Sequence, residues 1–370
     1  MSHLELSRRG FMAAVSAAPL ASAAKRTQHP TEYPLIRARG SHRDLGRQHG
    51  EQATEQIRAH LDVICANSRI SSSDLRRRAL RFRPLFESHC PHLLEEMTGL
   101  AEGAGIEQAE AMACSIRGEI AHARDEGCTA YAIGRGGTAS GEIIAGQNSD
   151  MTSEVIPLAY VLHLQPKDKP EVLMWTFGGM IGYHGMNNAG VAHFANALGG
   201  GPQARFAMPH YPVKRMMLEC STVKQAAGLL RTVPLASNGN YVMCDGDNIL
   251  DIEATTEGPE VIRDNGAGFL THTNHFLCPR YARKENFDRS WKDSFPRLER
   301  MDGLVRSRYG SLTVDDVKRF LSDHSGHPTS ICRHDGESRT VASLICEPAE
   351  GRMHVAVGNP CDSRYKTYSM

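Results

Sequence analysis

The pattern of apolar and polar positions divides the chain into a mainly helical first part and a mainly stranded remainder. Between residues 33 and 124 the apolar residues recur at helical spacing, most clearly over 52–64 and over 93–105, which ends in glycines. Residues 34–38 interrupt this pattern with a short apolar run typical of a strand. The first part therefore predicts one strand followed by several helices.

After residue 128 the pattern changes to short β-prone runs separated by turn residues. Strands are predicted over 156–165 and 172–177, and strand pairs within 241–255 and 340–358. Residues 209–233 return to helical spacing. The alternation of both kinds of element predicts a mixed α+β fold.

The stretch 125–151 combines a predicted hairpin with candidate chemistry. Gly127 and Cys128 open it, and Asn148 and Asp150 close it. Between them lie two β-prone runs and a glycine-rich turn, at residues 129–133, 142–145 and 134–141. A hairpin here would bring the thiol of Cys128 near the amide of Asn148 and the carboxylate of Asp150.

The Gly127–Cys128 pair suggests a nucleophile that frees its own amino group. If the thiol attacks the Gly127 carbonyl, the peptide becomes a thioester and hydrolyses, which leaves Cys128 as a new N-terminus. Its α-amino group, with a reference pKa of about 8, could then serve as the base for the thiol. The alternative is a buried structural thiol, the usual role of a cysteine.

Composition excludes several classes of protein. The chain has 370 residues, of which 41% are hydrophobic and 23% charged, with a formal net charge of zero. We therefore predict no nucleic-acid partner and, because no apolar run reaches transmembrane length, no stable membrane insertion. Ten cysteines at irregular spacing do not predict a disulfide framework.

The N-terminus predicts a twin-arginine export signal over residues 1–24. Arg8 and Arg9 precede an apolar run at 11–20 and small residues at 21–24. We expect export by the twin-arginine pathway to the periplasm or the medium. The alternative is a disordered, alanine-rich arm on a cytoplasmic protein.

Motifs along most of the chain resemble those of the penicillin acyltransferases (acyl-coenzyme A:6-aminopenicillanate or isopenicillin N acyltransferases) and their bacterial relatives. They are G-x5-G-x2-H-G from Gly40, E-x3-G-x-A-E-G-A in 95–104, Gly127-Cys128-Thr129, H-T-N-H in 272–275, D-S-x-x-R-x-x-R-M in 293–301, and S-I-C-R in 330–333. His49 in the first motif could be catalytic, although a structural role near the helix start is the alternative. Arg297 and Arg300 are expected to be structural.

The resemblance implies a four-layer αββα sandwich of the N-terminal nucleophile hydrolase type, with two stacked antiparallel sheets and outer helices. It also implies a helical proregion or small subunit at residues 25–127 and a catalytic large subunit at 128–370. The two fragments would stay associated as one folded unit after self-cleavage.

The resemblance also implies roles for individual residues. Cys128 would be the nucleophile, and Asn274 of the H-T-N-H segment would stabilise the oxyanion. Arg333 would pair with Asp150 and orient it. Thr129 and Asn148 are candidate substrate-binding residues. We predict no metal and no organic cofactor, because thiol chemistry of this kind needs none.

These observations predict a self-processing cysteine amidohydrolase or acyltransferase. It would cleave a linear amide of a small N-acyl compound, or accept an acyl thioester, through a thioester acyl-enzyme. The alternatives are acyl-coenzyme A-dependent N-acyl transfer and a catalytically silent exported binding protein. A metal hydrolase would need a ligand cluster that the spacing of the eighteen histidines does not reveal.

Overall fold

The computed structural model describes residues 30–120, 127–282, 292–334 and 338–370. The predicted export signal at 1–24 lies outside these residues. The two-subunit division at Gly127 and Cys128 stays a prediction. Within the described residues, no helix has both the length and the apolarity that a membrane crossing requires.

Eleven α-helices lie in the described residues, and the first seven precede Gly127, as the sequence predicts. Strand β1 (Leu35–Gly40) comes before them. The helices are α1 (His42–Gln52), α2 (Thr54–Ser68), α3 (Ser72–Leu80), α4 (Arg83–His89), α5 (Pro91–Ala104), α6 (Gln108–Cys114), α7 (Arg117–Ile120), α8 (His210–Met217), α9 (Val223–Thr232), α10 (Ser294–Arg308) and α11 (Val314–Leu321).

The remaining strands follow one another from Gly127 onward. They are β2 (Gly127–Ile133), β3 (Ile144–Met151), β4 (Ala159–Pro166), β5 (Val172–Phe177), β6 (His184–Asn187), β7 (Ala192–Ala197), β8 (Gly239–Cys244), β9 (Ile249–Thr255), β10 (Gly258–Ile262), β11 (Phe269–His272), β12 (Arg339–Glu347), β13 (Arg352–Val357) and β14 (Lys366–Ser369). One sheet has the order β1-β4-β5-β6-β7-β8-β9-β10 and the other β11-β2-β3-β12-β13-β14. Their pairs are antiparallel except β1 with β4, which is parallel.

The two sheets face each other across a buried apolar core. Alternate residues of β2 and β3 on one side, such as Ala130 and Ala145, meet residues of β5 and β7, such as Trp175 and Phe194. Helices α1–α6, α8 and α9 cover the outer face of the larger sheet, and α10 and α11 cover that of the smaller one. The α+β class and the αββα layer order are therefore confirmed.

Glycines in the first two family-like motifs set the distance between α1 and α5. A Cβ atom on Gly46 would lie 1.8 Å from the Glu96 carbonyl oxygen, and one on Gly99 would lie 2.0 Å from the Arg43 carbonyl oxygen. Real Cβ atoms do not approach backbone so closely, so only glycine permits this contact. The motif residues thus serve helix packing.

His49 has the structural role that was one of its two predicted alternatives. Its ring lies in the outer helical layer, and its Nε2 is 2.6 Å from the hydroxyl oxygen of Tyr160 on β4. Complete burial lowers the pKa of His49 to about 4, so the ring is neutral at pH 7. This contact joins α1 to the large sheet.

Candidate active site

The predicted hairpin is confirmed, and it places Gly127 and Cys128 at the first residues of β2. Cys128 lies opposite Ser149 in the β2–β3 pairing, and Gly127 lies opposite Asp150. Because side chains alternate along a strand, Cys128 shares the inter-sheet face with Ala130. Cys128 is 3% exposed, so any reaction at its thiol would take place in a largely water-excluded environment.

Both backbone polar groups of Cys128 are held by buried side chains. Its nitrogen donates to Oδ1 of Asn274 at 3.0 Å. Its carbonyl oxygen accepts from Nη1 of Arg297 at 2.6 Å and from Nδ2 of Asn196 at 3.1 Å. These three side chains come from α10, β7 and the segment after β11. The backbone of the candidate nucleophile is therefore fixed from three directions.

Arg297, like Asn196, is a site residue that sequence analysis missed. It is 1% exposed, and its guanidinium spans Cys128 O, Oγ1 of Thr129 at 3.0 Å and Oδ1 of Asn274 at 2.8 Å. Its Nε lies 3.5 Å from a carboxylate oxygen of Asp293, which balances the buried charge. The D-S-x-x-R spacing holds the only indication of this role, and from the sequence it predicts no more than a structural helix face.

Arg297 also fixes which way the Asn274 amide points. A guanidinium only donates hydrogen bonds, so the Asn274 atom that faces it must be the oxygen. Nδ2 of Asn274 donates on its other side to the carbonyl oxygen of Ala197 at 3.0 Å. The predicted oxyanion contact uses the amide nitrogen, whereas the contact formed with Cys128 uses the oxygen.

Gly127 lies between the side chains of Asp150 and Arg333. A Cβ atom built on Gly127 would lie 2.7 Å from Nη1 of Arg333 and 3.2 Å from Oδ2 of Asp150. A larger residue would require the Arg333 guanidinium, the end of a flexible side chain, to shift. Both predicted residues therefore flank the bond that the sequence suggests is cut.

The predicted ion pair between Arg333 and Asp150 is wrong in detail. Nη1 of Arg333 pairs instead with Oδ2 of Asp293 at 2.8 Å, the carboxylate that also balances Arg297. One oxygen of Asp150 accepts from the hydroxyl of Thr340 at 2.7 Å, whereas the other has no hydrogen-bond partner among the described residues. The carboxylate that pairs with the Arg333 guanidinium is therefore that of Asp293, which belongs to a motif predicted to be structural.

Burial has the largest effect on the pKa of the Asp150 carboxyl group. The side chain is fully buried, and desolvation of the carboxylate raises its pKa to about 6. The nearby positive charges of Arg297 and Arg333 and the Thr340 hydrogen bond oppose this rise without cancelling it. Asp150 can therefore gain or lose a proton close to neutral pH, beside Gly127.

Neither of the two candidate substrate-binding residues has its polar group directed at the inter-sheet space. The amide of Asn148 donates to the carbonyl oxygens of Leu321 at 2.8 Å and Ile331 at 3.1 Å, which belong to the outer layer. Thr129 is fully buried, and its hydroxyl accepts from Arg297. Strand alternation places both residues on the face opposite Cys128, so we do not retain them as substrate contacts.

A second buried polar group lies between the sheets, next to the residues that hold Cys128. The ring nitrogens of His272 face two acceptors, the Thr273 carbonyl at 2.9 Å and the Glu253 carboxylate at 3.0 Å. The ring must donate from both, and the carboxylates of Asp251 and Glu253 raise the pKa of His272 against the effect of burial. A buried histidine whose surroundings favour its protonated form therefore lies beside Asn196, which also bonds to the His272 carbonyl.

Two groups of described residues could hold a metal ion, and neither includes Cys128, Asp150 or Asn274. One is formed by His42, His92 and Glu219 under the outer helices, and the other by two cysteines and two histidines at residues 324, 332, 334 and 361. The polar side chains around the candidate nucleophile are amide, guanidinium and carboxylate groups.

Comparison with known proteins agrees with the motifs. The family described as acyl-coenzyme A:6-aminopenicillanic acid acyl-transferase matches residues 137–362, a range that includes Asp150, Asn274, Arg297 and Arg333. The acyl-coenzyme A:6-aminopenicillanic-acid-acyltransferase 40 kDa form of Emericella nidulans is 25% identical over 340 residues, which cover 88% of this chain and 92% of that protein.

Solved structures resemble the chain at lower identity. A mutant of the conjugated bile acid hydrolase from Clostridium perfringens has a TM-score of 0.46 and 13% identity, covering 66% of this chain and 97% of that one. Penicillin V acylase from Agrobacterium tumefaciens has a TM-score of 0.49 and 12% identity, covering 66% of this chain and 86% of that one.

Proposed function

Because the chain belongs to the acyl-coenzyme A:6-aminopenicillanic acid acyl-transferase family, we propose that it is an enzyme that cuts its own Gly127–Cys128 bond and then uses Cys128 to take up acyl groups. The observation that carries the proposal is the set of contacts on the backbone of Cys128, whose nitrogen is held by Asn274 and whose carbonyl is held by Arg297. Such contacts position the bond that breaks and the amine that forms.

Self-cleavage begins when Sγ of Cys128 attacks the carbonyl carbon of Gly127. The bond from that carbon to the nitrogen of Cys128 breaks, the nitrogen gains the proton lost by the thiol, and a thioester forms. Water then hydrolyses the thioester to a Gly127 carboxylate and a free thiol. Asp150, with its pKa raised to about 6 beside Gly127, is the group available to carry protons before the α-amino group exists.

Turnover repeats the same chemistry on a small N-acyl amide. The new α-amino group of Cys128 takes the thiol proton, and the thiolate attacks the substrate carbonyl. The substrate amine leaves with that proton, and an acyl thioester remains on Cys128. Asn274 supports this step in two ways, since Oδ1 holds the amino group and Nδ2 is the candidate donor to the oxyanion.

The acyl acceptor is either water or an amine. Hydrolysis is our first proposal, because an enzyme exported by the predicted twin-arginine signal would meet little acyl-coenzyme A. The second proposal is transfer from acyl-coenzyme A. It is favoured by the 25% identity between this chain and an acyl-coenzyme A:6-aminopenicillanic-acid-acyltransferase. Export and the continued association of the two fragments are part of the proposal.

Intact mass spectrometry under denaturing conditions tests self-cleavage. We expect a fragment that begins at Cys128 and ends at Met370, and its absence from the Cys128→Ala variant. Cys244→Ala is the matched control, because Cys244 is a buried strand thiol of the larger sheet and should leave cleavage unchanged.

An uncut chain in the unmodified protein would contradict self-processing and would favour the silent binding protein. If the chain is cut, the acceptor is identified by giving the enzyme an N-acyl amide or an acyl thioester with and without a small amine. A free acid that forms at the same rate with and without the amine supports hydrolysis. A new amide that forms at the expense of the acid supports transfer.

A further inference from the structure

Four side chains with metal-binding atoms meet near the start of β12 and the end of β13. Cys332 and His334 flank Arg333, His324 follows α11, and Cys361 follows β13. One ligand atom from each lies within 4.8 Å of the ligand atoms of the other three. This group, the Cys2His2 cluster, has no part in the chemistry proposed above.

Four of the six distances among these atoms are close to those around one small tetrahedral ion, and the other two are within 4.8 Å. With zinc bonds of about 2.3 Å to sulfur and about 2.0–2.1 Å to nitrogen, neighbouring ligands lie about 3.8 Å apart for two sulfurs, about 3.6 Å for sulfur and nitrogen, and about 3.3 Å for two nitrogens. The two Sγ atoms are 3.6 Å apart. Nε2 of His334 lies 3.6 Å from Cys332 Sγ, 3.1 Å from Cys361 Sγ and 2.9 Å from Nε2 of His324.

Neither a disulfide nor a simple hydrogen bond accounts for the whole cluster. A disulfide requires sulfur atoms about 2.05 Å apart, whereas the two sulfurs are 3.6 Å apart and both cysteines are thiols. A hydrogen bond between His324 and His334 accounts for one contact and does not require both sulfurs to converge on the same point. Two thiolates and two imidazoles are, by contrast, a donor set that zinc prefers in structural sites.

Groups around the cluster also match a metal centre. Nδ2 of Asn359 donates to Cys332 Sγ at 3.5 Å and to the Arg333 carbonyl at 2.7 Å. Nδ1 of His334, the ring nitrogen that faces away from the cluster, lies 3.9 Å from a carboxylate oxygen of Asp362. Metal-bound histidines commonly have a carboxylate on the outer nitrogen, and amide donors stabilise bound thiolates.

We propose that Cys332, His334, His324 and Cys361 bind one Zn²⁺ ion. Binding displaces the protons of both thiols, so the site holds the ion as a neutral dithiolate–diimidazole complex. Four protein ligands fill the coordination sphere, which makes the site structural. It would tie the segment that carries Arg333 to the chain after β13, and so keep Arg333 against Asp293 and Gly127.

The metal content of the purified full-length chain tests the proposal. After dialysis against equimolar zinc and removal of loosely bound ions, we expect one zinc per chain. Cys361→Ser and His324→Ala each remove one ligand at the exposed side of the cluster. Each should weaken zinc binding by more than about 100-fold, since changes in supporting residues alone cost about 10–100-fold. Cys65→Ser, a half-buried cysteine on α2, is the matched control and should keep its zinc.

Cobalt substitution provides a readout that does not depend on activity. Tetrahedral cobalt with two thiolates gives strong ligand-field and charge-transfer absorption, which we expect in the unmodified protein and in Cys65→Ser, with the sulfur-dependent part reduced in Cys361→Ser. A folded, unmodified protein that retains no zinc and gives no thiolate–cobalt spectrum would overturn the proposal. A Cys332–Cys361 disulfide in freshly purified protein, detected as a mass loss of two hydrogens, would overturn it as well.

Discussion

Oδ1 of Asn274 lies 3.0 Å from the backbone nitrogen of Cys128 and accepts its hydrogen bond. In the uncut chain this nitrogen belongs to the Gly127–Cys128 peptide. After the proposed cleavage the same atom would be the α-amino base. One amide oxygen can therefore hold the nitrogen in both states, and Arg297 keeps that oxygen in place.

The first prediction distinguishes the role of the side-chain oxygen of Asn274 from the role of its side-chain nitrogen. Asn274→Ala should slow both self-cleavage and turnover by about 10²–10³-fold, the usual effect of losing one such polar group. Asn274→Asp keeps an oxygen for Cys128 but loses the amide donor, so it should cleave itself faster than Asn274→Ala without regaining turnover. Time courses of cleavage and of acyl-amide hydrolysis measure both effects.

The control for this pair is Asn238→Ala. Like Asn274, Asn238 donates from its side-chain amide to backbone carbonyls, here those of Gly200 and Pro202, and its hydrogen bonds among the described residues do not include Cys128. Equal cleavage rates for Asn274→Ala and the control would refute the role of Asn274.

The second prediction concerns Arg297. Arg297→Lys keeps the positive charge but cannot reach Cys128, Thr129 and Asn274 with one ammonium group, because the planar fork of the guanidinium is lost. We expect cleavage and turnover to fall by about 10²-fold or more. The rate at which the cleaved fragment appears is the measurement.

Arg300→Lys is the matched control on the same helix. Arg300 is exposed and pairs with Asp323, a type of contact that contributes about 0–1 kcal/mol. If Arg297→Lys cleaves and turns over as fast as Arg300→Lys, the guanidinium geometry is not what positions Cys128.

The third prediction follows from the space around Gly127. In Gly127→Ala the new methyl group would lie 2.7 Å from Nη1 of Arg333, so the guanidinium that pairs with Asp293 must shift. We expect self-cleavage to slow by up to about 10²-fold, the scale associated with a misplacement of about 1 Å that originates away from the reacting atoms. Gly228→Ala, where a Cβ atom meets nothing within 4 Å, is the control. Unchanged cleavage in Gly127→Ala would show that this crowding is harmless.

The fourth prediction concerns the pH dependence of stability and is made in a Cys128→Ala background, where the chain should stay uncut. The folded pKa of Asp150 is about 6 and the unfolded value about 3.9, so the native state holds its proton more tightly. Stability due to this group is present below about pH 4 and is lost as pH rises to about 6. Asp150→Asn should therefore gain stability relative to the unsubstituted side chain over this interval, by on the order of 2–3 kcal/mol.

Denaturant unfolding at several pH values from about 4 to about 8 measures the difference. The side-chain oxygen of the asparagine in the Asp150→Asn variant would still accept the Thr340 hydrogen bond, so the comparison isolates the charge. A constant difference between the two proteins across this range would mean that Asp150 titrates normally.

The sequence could predict the hairpin because its causes are local. Alternating small and apolar residues on both sides of a glycine-rich turn define β2 and β3, and the ends of that hairpin bring Cys128 and Asp150 together. The same local reasoning could not exclude Asn148, because it does not fix the register that pairs Asn148 with Thr129 and so places its amide on the face opposite Cys128.

Arg297 and the Cys2His2 cluster could not be found in this way. An arginine on a helix is usually solvated, and only the tertiary contacts with Asp293, Asn274 and the backbone of Cys128 make a buried one favourable. The four cluster residues come from three separate segments without a regular ligand spacing, so no sequence pattern indicates them.

Because β1 pairs in parallel with β4, the proposed cleavage would make the stability of the mature protein depend on protein concentration. Strand β1 comes from before the cleavage point, and the adjoining Tyr33 bonds through its hydroxyl to Val341 and through its carbonyl to Tyr368. The two fragments would be interlaced within one sheet and one core. Unfolding of the mature protein would then release two chains. Refolding would become a second-order reaction, and the midpoint of the unfolding transition would rise with protein concentration.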